Sequence, residues 1–370
     1  MPESDQLEVL LLAGPLEARG RCAYTLRLAQ HLPELGIAPT LISPDIDLLD
    51  LETRRRLNAV EYRRIDTPLW GRYVRWCLLE ELRKRPPALI HIQTRRALRL
   101  GTWLARHLKV PFLLTIHDQL APNACVSVDR RWCRRIITAS PSVQGELTSR
   151  LRFPAELVTH IAAGVEVEAT LDCPTPLDPG HVPVIGTATP LEAQKGVPYF
   201  LGAARRALEV RSQLEFLVAG AGPEEANLRR IARELGITDK VTFVPYARDF
   251  GDSLAAMDIF CLPSLQQGLG TIMLEAMALG RPVIATEVGG VSSIIREGET
   301  GLSVPPRDSA TLAARILELL DNPTRARAIG TAARRLVAEQ FNVRRMVEQT
   351  AEIYREVCTC PLRLSPSAQN

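Results

Sequence analysis

The chain has 370 residues, 46% hydrophobic and 24% charged, with a formal net charge of +3. Those proportions suit a globular protein with a full core and a length that suggests two domains. So small a net charge gives no argument for nucleic-acid binding, although residues 54–109 hold 15 Lys/Arg against four Asp/Glu.

The N-terminus, MPESDQLEVLLLAG, starts acidic, and its apolar run is too short for a signal sequence or a membrane span. No later stretch is long enough either, so a cytoplasmic placement is expected. Eight cysteines (22, 77, 125, 133, 173, 261, 358 and 360) form no C-x-x-C pair and read as free, buried thiols of a reducing compartment.

Along the first half, short apolar runs at 7–13, 38–43, 59–65, 88–93, 111–117, 135–140 and 157–162 predict strands. Helical patterns at 21–35, 70–85, 96–107 and 141–151 lie between several of them. Nearly continuous apolar strands separated by helices imply a parallel sheet covered on both faces. Residues 172–183, DCPTPLDPGHVP, have no period and read as a linker. The alternation restarts with strands at 183–188, 214–220, 240–246, 258–263 and 281–286, and 308–357 reads as helical throughout. The expected fold is α/β, with two doubly wound, Rossmann-like parallel-sheet domains facing across a cleft. Their bounds are 1–175, 176–341, a C-terminal helix 342–358 and a flexible tail 359–370.

The stretch SLQQGLGTIMLEAMALGRPVIATEVGG, residues 264–290, carries the densest chemistry. A loop bounded by Gly268, Leu269 and Gly270 opens a helix, whose free N–H groups favour an anion such as a phosphate. Glu275, a turn and a half into that helix, can accept hydrogen bonds from two vicinal hydroxyls, as on a ribose; a solvated helix residue is the alternative. Lys195-Gly196 follows the 183–188 strand and can neutralise a phosphate as a point charge. Gly289-Gly290 ends another strand, precedes the expected helix VSSIIRE and forms a second candidate anion nest. His117-Asp118 ends the 111–117 strand and would face the cleft, whereas His91, inside ALIHIQ, reads as a core histidine.

Three lookalikes carry less. In VAGAGPEEA the third glycine position of a dinucleotide loop is Glu225, and AGPLEARG after the first strand is no such fingerprint either. Asp45-Ile46-Asp47 resembles a metal-binding D-x-D, but capping and charging the following helix is the reading preferred here.

The 264–290 stretch, with AQKG and VAGAGPEEANLRRIARELGITDKVTFVPY before it and GETGLSVPPRD after it, resembles the retaining glycosyltransferases of family 4 (group 1), of GT-B fold. The resemblance covers nearly the whole second domain. In the first domain it rests on Gly20, His117-Asp118, Ser140 and Gly164-Val165-Glu166. It implies a nucleotide-diphosphate-sugar donor, a substrate rather than a cofactor, bound mainly to the second domain, and an acceptor held mainly by the first. By resemblance Glu275 would hold the ribose, the amides of Gly268, Leu269 and Gly270 the sugar and phosphate, and Lys195 the diphosphate. His117 would reach the donor sugar and Gly20 would let the first loop approach the diphosphate. The final helix would cross back onto the first domain.

Two positions depart from the family pattern. Pro190 stands where the resemblance implies a diphosphate-binding arginine, and Gln267 where it implies the first acid of an E-x7-E pair. The expected activity is metal-independent transfer of a sugar to a glycan or lipid-linked acceptor in bacterial polysaccharide or glycolipid assembly, with Lys195, His117 and Gln267 at the reacting centre. No cofactor, metal or nucleic acid is expected. An anionic membrane surface contacted through residues 54–109, with the protein peripheral on the inner face of the cell membrane, is the further partner. The alternative is a catalytically weak GT-B protein serving as a nucleotide- or glycan-binding partner module; an epimerase or phosphorylase fits less well.

Overall fold

The computed structural model describes the chain apart from residues 1–5, 17–20, 48, 66, 68–69, 118–119, 121–124, 168–173, 246–249 and 360–370. Contacts divide it into two compact units, residues 1–163 with 343–370, and residues 164–342.

The strands of unit 1 are β1 (Leu7–Leu12), β2 (Ile37–Ser43), β3 (Ala59–Glu61), β4 (Leu89–Ile92), β5 (Phe112–Ile116), β6 (Cys133–Thr138) and β7 (Val158–His160). Those of unit 2 are β8 (Val184–Ala188), β9 (Glu215–Ala219), β10 (Val241–Val244), β11 (Ile259–Leu262), β12 (Val283–Thr286) and β13 (Leu302–Val304). The α-helices in chain order are α1 (Arg21–His31), α2 (Leu51–Arg56), α3 (Trp70–Lys84), α4 (Leu98–Leu108), α5 (Pro141–Gly145) and α6 (Val197–Val210). They continue with α7 (Glu225–Glu234), α8 (Gly251–Ala255), α9 (Thr271–Ala278), α10 (Ser309–Asp321), α11 (Pro323–Gln340) and α12 (Val343–Thr359).

In unit 1 the sheet order is β3-β2-β1-β4-β5-β6-β7, with every pair parallel. Every residue of β4 and β5 is buried, as strands covered on both faces require. Leu10, Leu12, Ile42, Ile90, Ile92 and Leu114 join one core cluster. On α12, Tyr354 is fully buried, and its hydroxyl lies 2.5 Å from His91 Nδ1. The other ring nitrogen of His91 meets Thr115 Oγ1 at 2.7 Å, so the core reading of this histidine holds. Burial, and then the neighbouring His117, push the His91 pKa down to about 3.

Unit 2 repeats the winding in the order β10-β9-β8-β11-β12-β13, again parallel throughout. Its core gathers Ile185, Phe216, Val218, Ile259, Cys261 and Ile284 under α6, α7 and α10. Strand β13 was not expected. It has three residues, too short for any hydrophobic period, and is paired to Ile284, Ala285 and Thr286 of β12. The division between units falls at 163/164, ahead of the proline-rich 172–183 segment. The described part of that segment belongs to unit 2: Leu177 is buried in its core, and the Leu177 amide donates to the buried Asp258 carboxylate at 2.6 Å. The 308–357 region is three helices, broken at Asn322, which caps α11 through the Arg325 amide, and again near Phe341.

Candidate functional site

Strand β8 lies between β9 and β11, so the connections leaving β8 and β11 part to opposite sides of the sheet. Crevices outside the carboxyl ends of strands at such a point are where open α/β sheets bind ligands. The loop after β8 is held from both sides. Thr189 and Leu191 amides donate to the Ala219 and Ala221 carbonyls, each at 2.9 Å, and the Glu224 amide donates to Leu191 at 3.0 Å. On the opposite side Leu265 donates to the Gln194 carbonyl at 2.8 Å. Gly196 has φ +65° and runs so close to Pro263 that a Cβ would stand 2.0 Å from its carbonyl oxygen.

This bracing sets Lys195 beside the loop after β11. Its ammonium donates to Gln267 Oε1 at 3.0 Å, and the Ser264 hydroxyl donates to the same oxygen at 3.2 Å. Ser264 is itself fixed, because Thr286 on β12 donates its hydroxyl to the Ser264 carbonyl at 2.5 Å. Sequence reasoning missed Ser264 and Thr286; buried polar residues at strand carboxyl ends were the available signal.

Helix α9 starts from Gly270, at φ +80° and ψ 54°, without a side-chain cap. Among the described residues the Leu269 and Gly270 amides have no backbone acceptor, and the Leu269 side chain is buried under the loop. The helix dipole and these N–H groups make an electropositive end beside Lys195 and Gln267. Glu275 lies on α9, half-buried among the buried Met273, Leu274, Ala276 and Met277.

Gly289 and Gly290 differ from expectation. Residues 289–293 form a 3₁₀ turn rather than the start of an α-helix, and the Gly290 amide is committed to the Gly268 carbonyl at 3.1 Å. Gly289, at φ +56°, passes so close that a Cβ would lie 1.9 Å from the Gln267 carbonyl oxygen. The pair therefore holds the Gln267–Gly268 backbone in place, and the Gly290 N–H is not available to an anion.

In unit 1, His117 follows the carboxyl end of β5, is 8% exposed and meets Tyr24 of α1 edge-on, with ring centroids 4.9 Å apart. Burial pushes the Tyr24 hydroxyl up to about 12. Gly20 and Asp118 lie outside the described residues, as do Cys173, Cys360 and the tail from 360. Ser140 caps α5 by accepting from the Val143 amide at 3.4 Å. Among the described cysteines Cys133 and Cys261 are buried and free, with burial raising both thiols, whereas Cys125 and Cys358 are exposed.

The acid pair Asp45 and Asp47 does not cap the next helix. Asp50 does, accepting from the Thr53 amide at 2.8 Å. Asp45 instead accepts from the Asp47 amide at 2.9 Å. Its carboxylate groups with those of Asp47 and Glu61, and Arg63 bonds both Asp47 and Glu61 at 2.9 Å.

Comparison with known proteins adds a family. The model described as "Glycosyltransferase Family 4" matches residues 23–169, and that described as "Glycosyl transferases group 1" matches residues 182–322. The chain is 26% identical over 281 residues to alpha-D-kanosaminyltransferase of Streptomyces kanamyceticus, covering 69% of this chain and 72% of that protein. It is also 26% identical to the phosphatidyl-myo-inositol mannosyltransferase of Mycobacterium leprae, over 97% and 94%. In fold it is similar to a glycosyltransferase from Rickettsia africae, with TM-score 0.80, 21% identity and coverage of 96% and 100%. The Anabaena protein HepE, solved in complex with UDP-glucose, is similar with TM-score 0.80 and 19% identity over 94% and 99%. Each of the two sequence relatives is described as a transferase, not as a binding module. Among the described residues no helix is long and apolar enough to cross a membrane.

Proposed function

Because this chain belongs to the glycosyltransferases of group 1 and family 4 and has their GT-B fold, we propose that it transfers a sugar with retained anomeric configuration from a nucleotide-diphosphate sugar. The sugar passes to a glycan or lipid-linked acceptor, in bacterial polysaccharide or glycolipid assembly. The observation that carries this reading is the Lys195–Gln267 contact at the β8/β11 switch point, beside the uncapped start of α9.

In this reading the diphosphate lies against Lys195 and the Leu269 and Gly270 amides. These groups need not reorganise as charge builds on the departing oxygen, and such preorganised stabilisation supplies much of the rate. Glu275 accepts the ribose hydroxyls. Gln267 meets the donor sugar, and Gly289 with Gly290 keeps its loop in register. His117 keeps the role toward the donor sugar that the family resemblance implies. Orientation of acceptor against donor completes the rate enhancement, with no metal ion and no covalent intermediate. The enzyme works in the cytoplasm, peripheral to the inner face of the cell membrane.

The test is turnover of UDP-, GDP-, ADP- and TDP-sugars with a pool of lipid-linked acceptors, with the product anomer read by NMR. One donor class should be consumed with retention. Inversion, or nucleotide binding without any transfer, would contradict the proposal.

A further inference from the structure

Helix α3 presents a face that its sequence does not identify. The pattern WGRYVRWCLLEELRKR places Trp70, Tyr73, Val74, Cys77 and Leu78 near one side, but the fold separates them. Leu78 and Leu79 are buried and Val74 packs on the unit 1 core, whereas Trp70, Tyr73 and Trp76 are 62%, 61% and 55% exposed. Tyr73 and Trp76 lie together, ring centroids 6.3 Å apart. The opposite side is pinned. Gly71 fits against Ile65 where a Cβ would stand 2.6 Å from the carbonyl oxygen, and Arg75 donates to that same oxygen at 3.0 Å.

Single exposed apolar residues are ordinary, but three large aromatics at i, i+3 and i+6 of one helix are a patch. Its surroundings are cationic. Both acids of α3 are engaged, Glu80 with Arg83 at 2.6 Å and Glu81 with the Tyr62 hydroxyl. Arg72 and Lys84 on α3 are exposed, as are Arg95, Arg96 and Arg99 on the turn and helix α4 that packs against α3. Among the described residues none of these five is paired with a carboxylate. Tryptophan and tyrosine join an apolar ring to a polar tip, which suits the boundary between headgroups and hydrocarbon, and neighbouring cations suit lipid phosphates.

We propose that the Trp70–Tyr73–Trp76 face of α3 docks unit 1 on an anionic bilayer surface. The aromatics enter the headgroup region, and Arg72, Lys84 and the Arg95–Arg99 cluster pair with lipid phosphates. Its purpose rests on the proposed use of a lipid-linked acceptor. The docking itself is measured without donor or acceptor, so the two readings fail separately.

The experiment is co-sedimentation of the full chain with phosphatidylcholine vesicles, with and without phosphatidylglycerol, at low and high salt. The parent should bind the anionic vesicles, more weakly at high salt, and bind the neutral ones little. The variant W70S/Y73S/W76S, whose three positions are exposed, should lose roughly a hundredfold in vesicle affinity with an unchanged thermal melt. The variant R72Q/K84Q should lose part of the preference for anionic vesicles. Salt-independent binding to both vesicle types, binding to neither, or a triple variant that binds like the parent overturns the proposal. So does a parent dimer that the triple variant converts to monomer without any vesicle binding, which would assign the face to a second copy of this chain.

Discussion

Lys195 donates to the side-chain oxygen of Gln267 at 3.0 Å, across 72 residues of sequence. An ammonium has only hydrogens to give, so this contact fixes which end of the amide is oxygen. The Ser264 hydroxyl, at 3.2 Å from the same oxygen, holds it from a second direction. The amide nitrogen is then the end left to address a ligand, and it can only donate.

Replacing Gln267 by Glu turns this contact into an ion pair and adds a negative charge near the proposed diphosphate position. At an effective dielectric near 20, unit charges ~6 Å apart repel by about 2.8 kcal/mol before screening. We expect Gln267→Glu alone to weaken donor binding. Pro190 is exposed at the edge of the same loop system, where the family resemblance implies an arginine. Gln267→Glu combined with Pro190→Arg should therefore recover more than the single effects sum to, in a double-mutant cycle on donor affinity. Activity of Gln267→Glu well above the parent would show that the amide is a partial loss of function rather than a compensation.

Lys195→Ala should lower turnover by about 10²–10³, the scale for removing one preorganised charge stabiliser. Steady-state kinetics checks this, and a change below roughly threefold would remove the lysine from the reaction.

Glu275→Ala should act elsewhere. If its carboxylate holds the ribose, free nucleoside diphosphate and donor should weaken alike, by about 1.5–3 kcal/mol for a lost hydrogen bond to a charged group. Titration calorimetry with both ligands separates this from a sugar contact, which would spare the nucleotide.

The buried histidine of unit 1 makes stability depend on pH. The His91 pKa is lowered from 6.5 to about 3, by burial first and His117 second. Below 6.5 the unfolded imidazole binds a proton that the native one does not, so acid favours unfolding. Stability from this group should fall by about 1.4 kcal/mol per pH unit from 6.5 down towards 3, with no slope above 6.5. His160, lowered by burial, adds in the same direction. Tyr354→Phe leaves His91 Nδ1 without its partner and should cost about 1–3 kcal/mol at neutral pH. Urea midpoints near pH 7.5 and pH 5 for the parent, Tyr354→Phe and His91→Gln measure both effects.

Much of the architecture was legible in the sequence, because strands such as FLLTI and IFCL are apolar on both faces and announce themselves by length and flanking turns. Strand β13 was not, since three residues between Gly301 and Pro305 carry no period. Lys195, Gln267 and Glu275 were legible as polar residues at strand ends and a helix start. Their relation was not, because the approach of Gly196 to Pro263 that brings two of them together is tertiary. In sequence Gly289-Gly290 reads as an anion nest, but the Gly268 carbonyl takes up the Gly290 amide. The outer side of α3 was equally hidden. Leucines and aromatics both make stripes on it, and tertiary packing, with Gly71 and Arg75 against Ile65 and Leu78 and Leu79 in the core, decides which stripe faces out.

The proposed function requires that the loops after β8 and β11 hold a nucleotide-diphosphate sugar. The most direct measurement is a thermal-shift screen of nucleotide sugars on the parent, Lys195→Ala and Glu275→Ala. A ligand at 100 times its dissociation constant adds roughly 2.7 kcal/mol of stability. One nucleotide class should raise the parent's melting temperature, and either substitution should shrink the rise. No rise with any nucleotide sugar, or an undiminished rise in both variants, would contradict it.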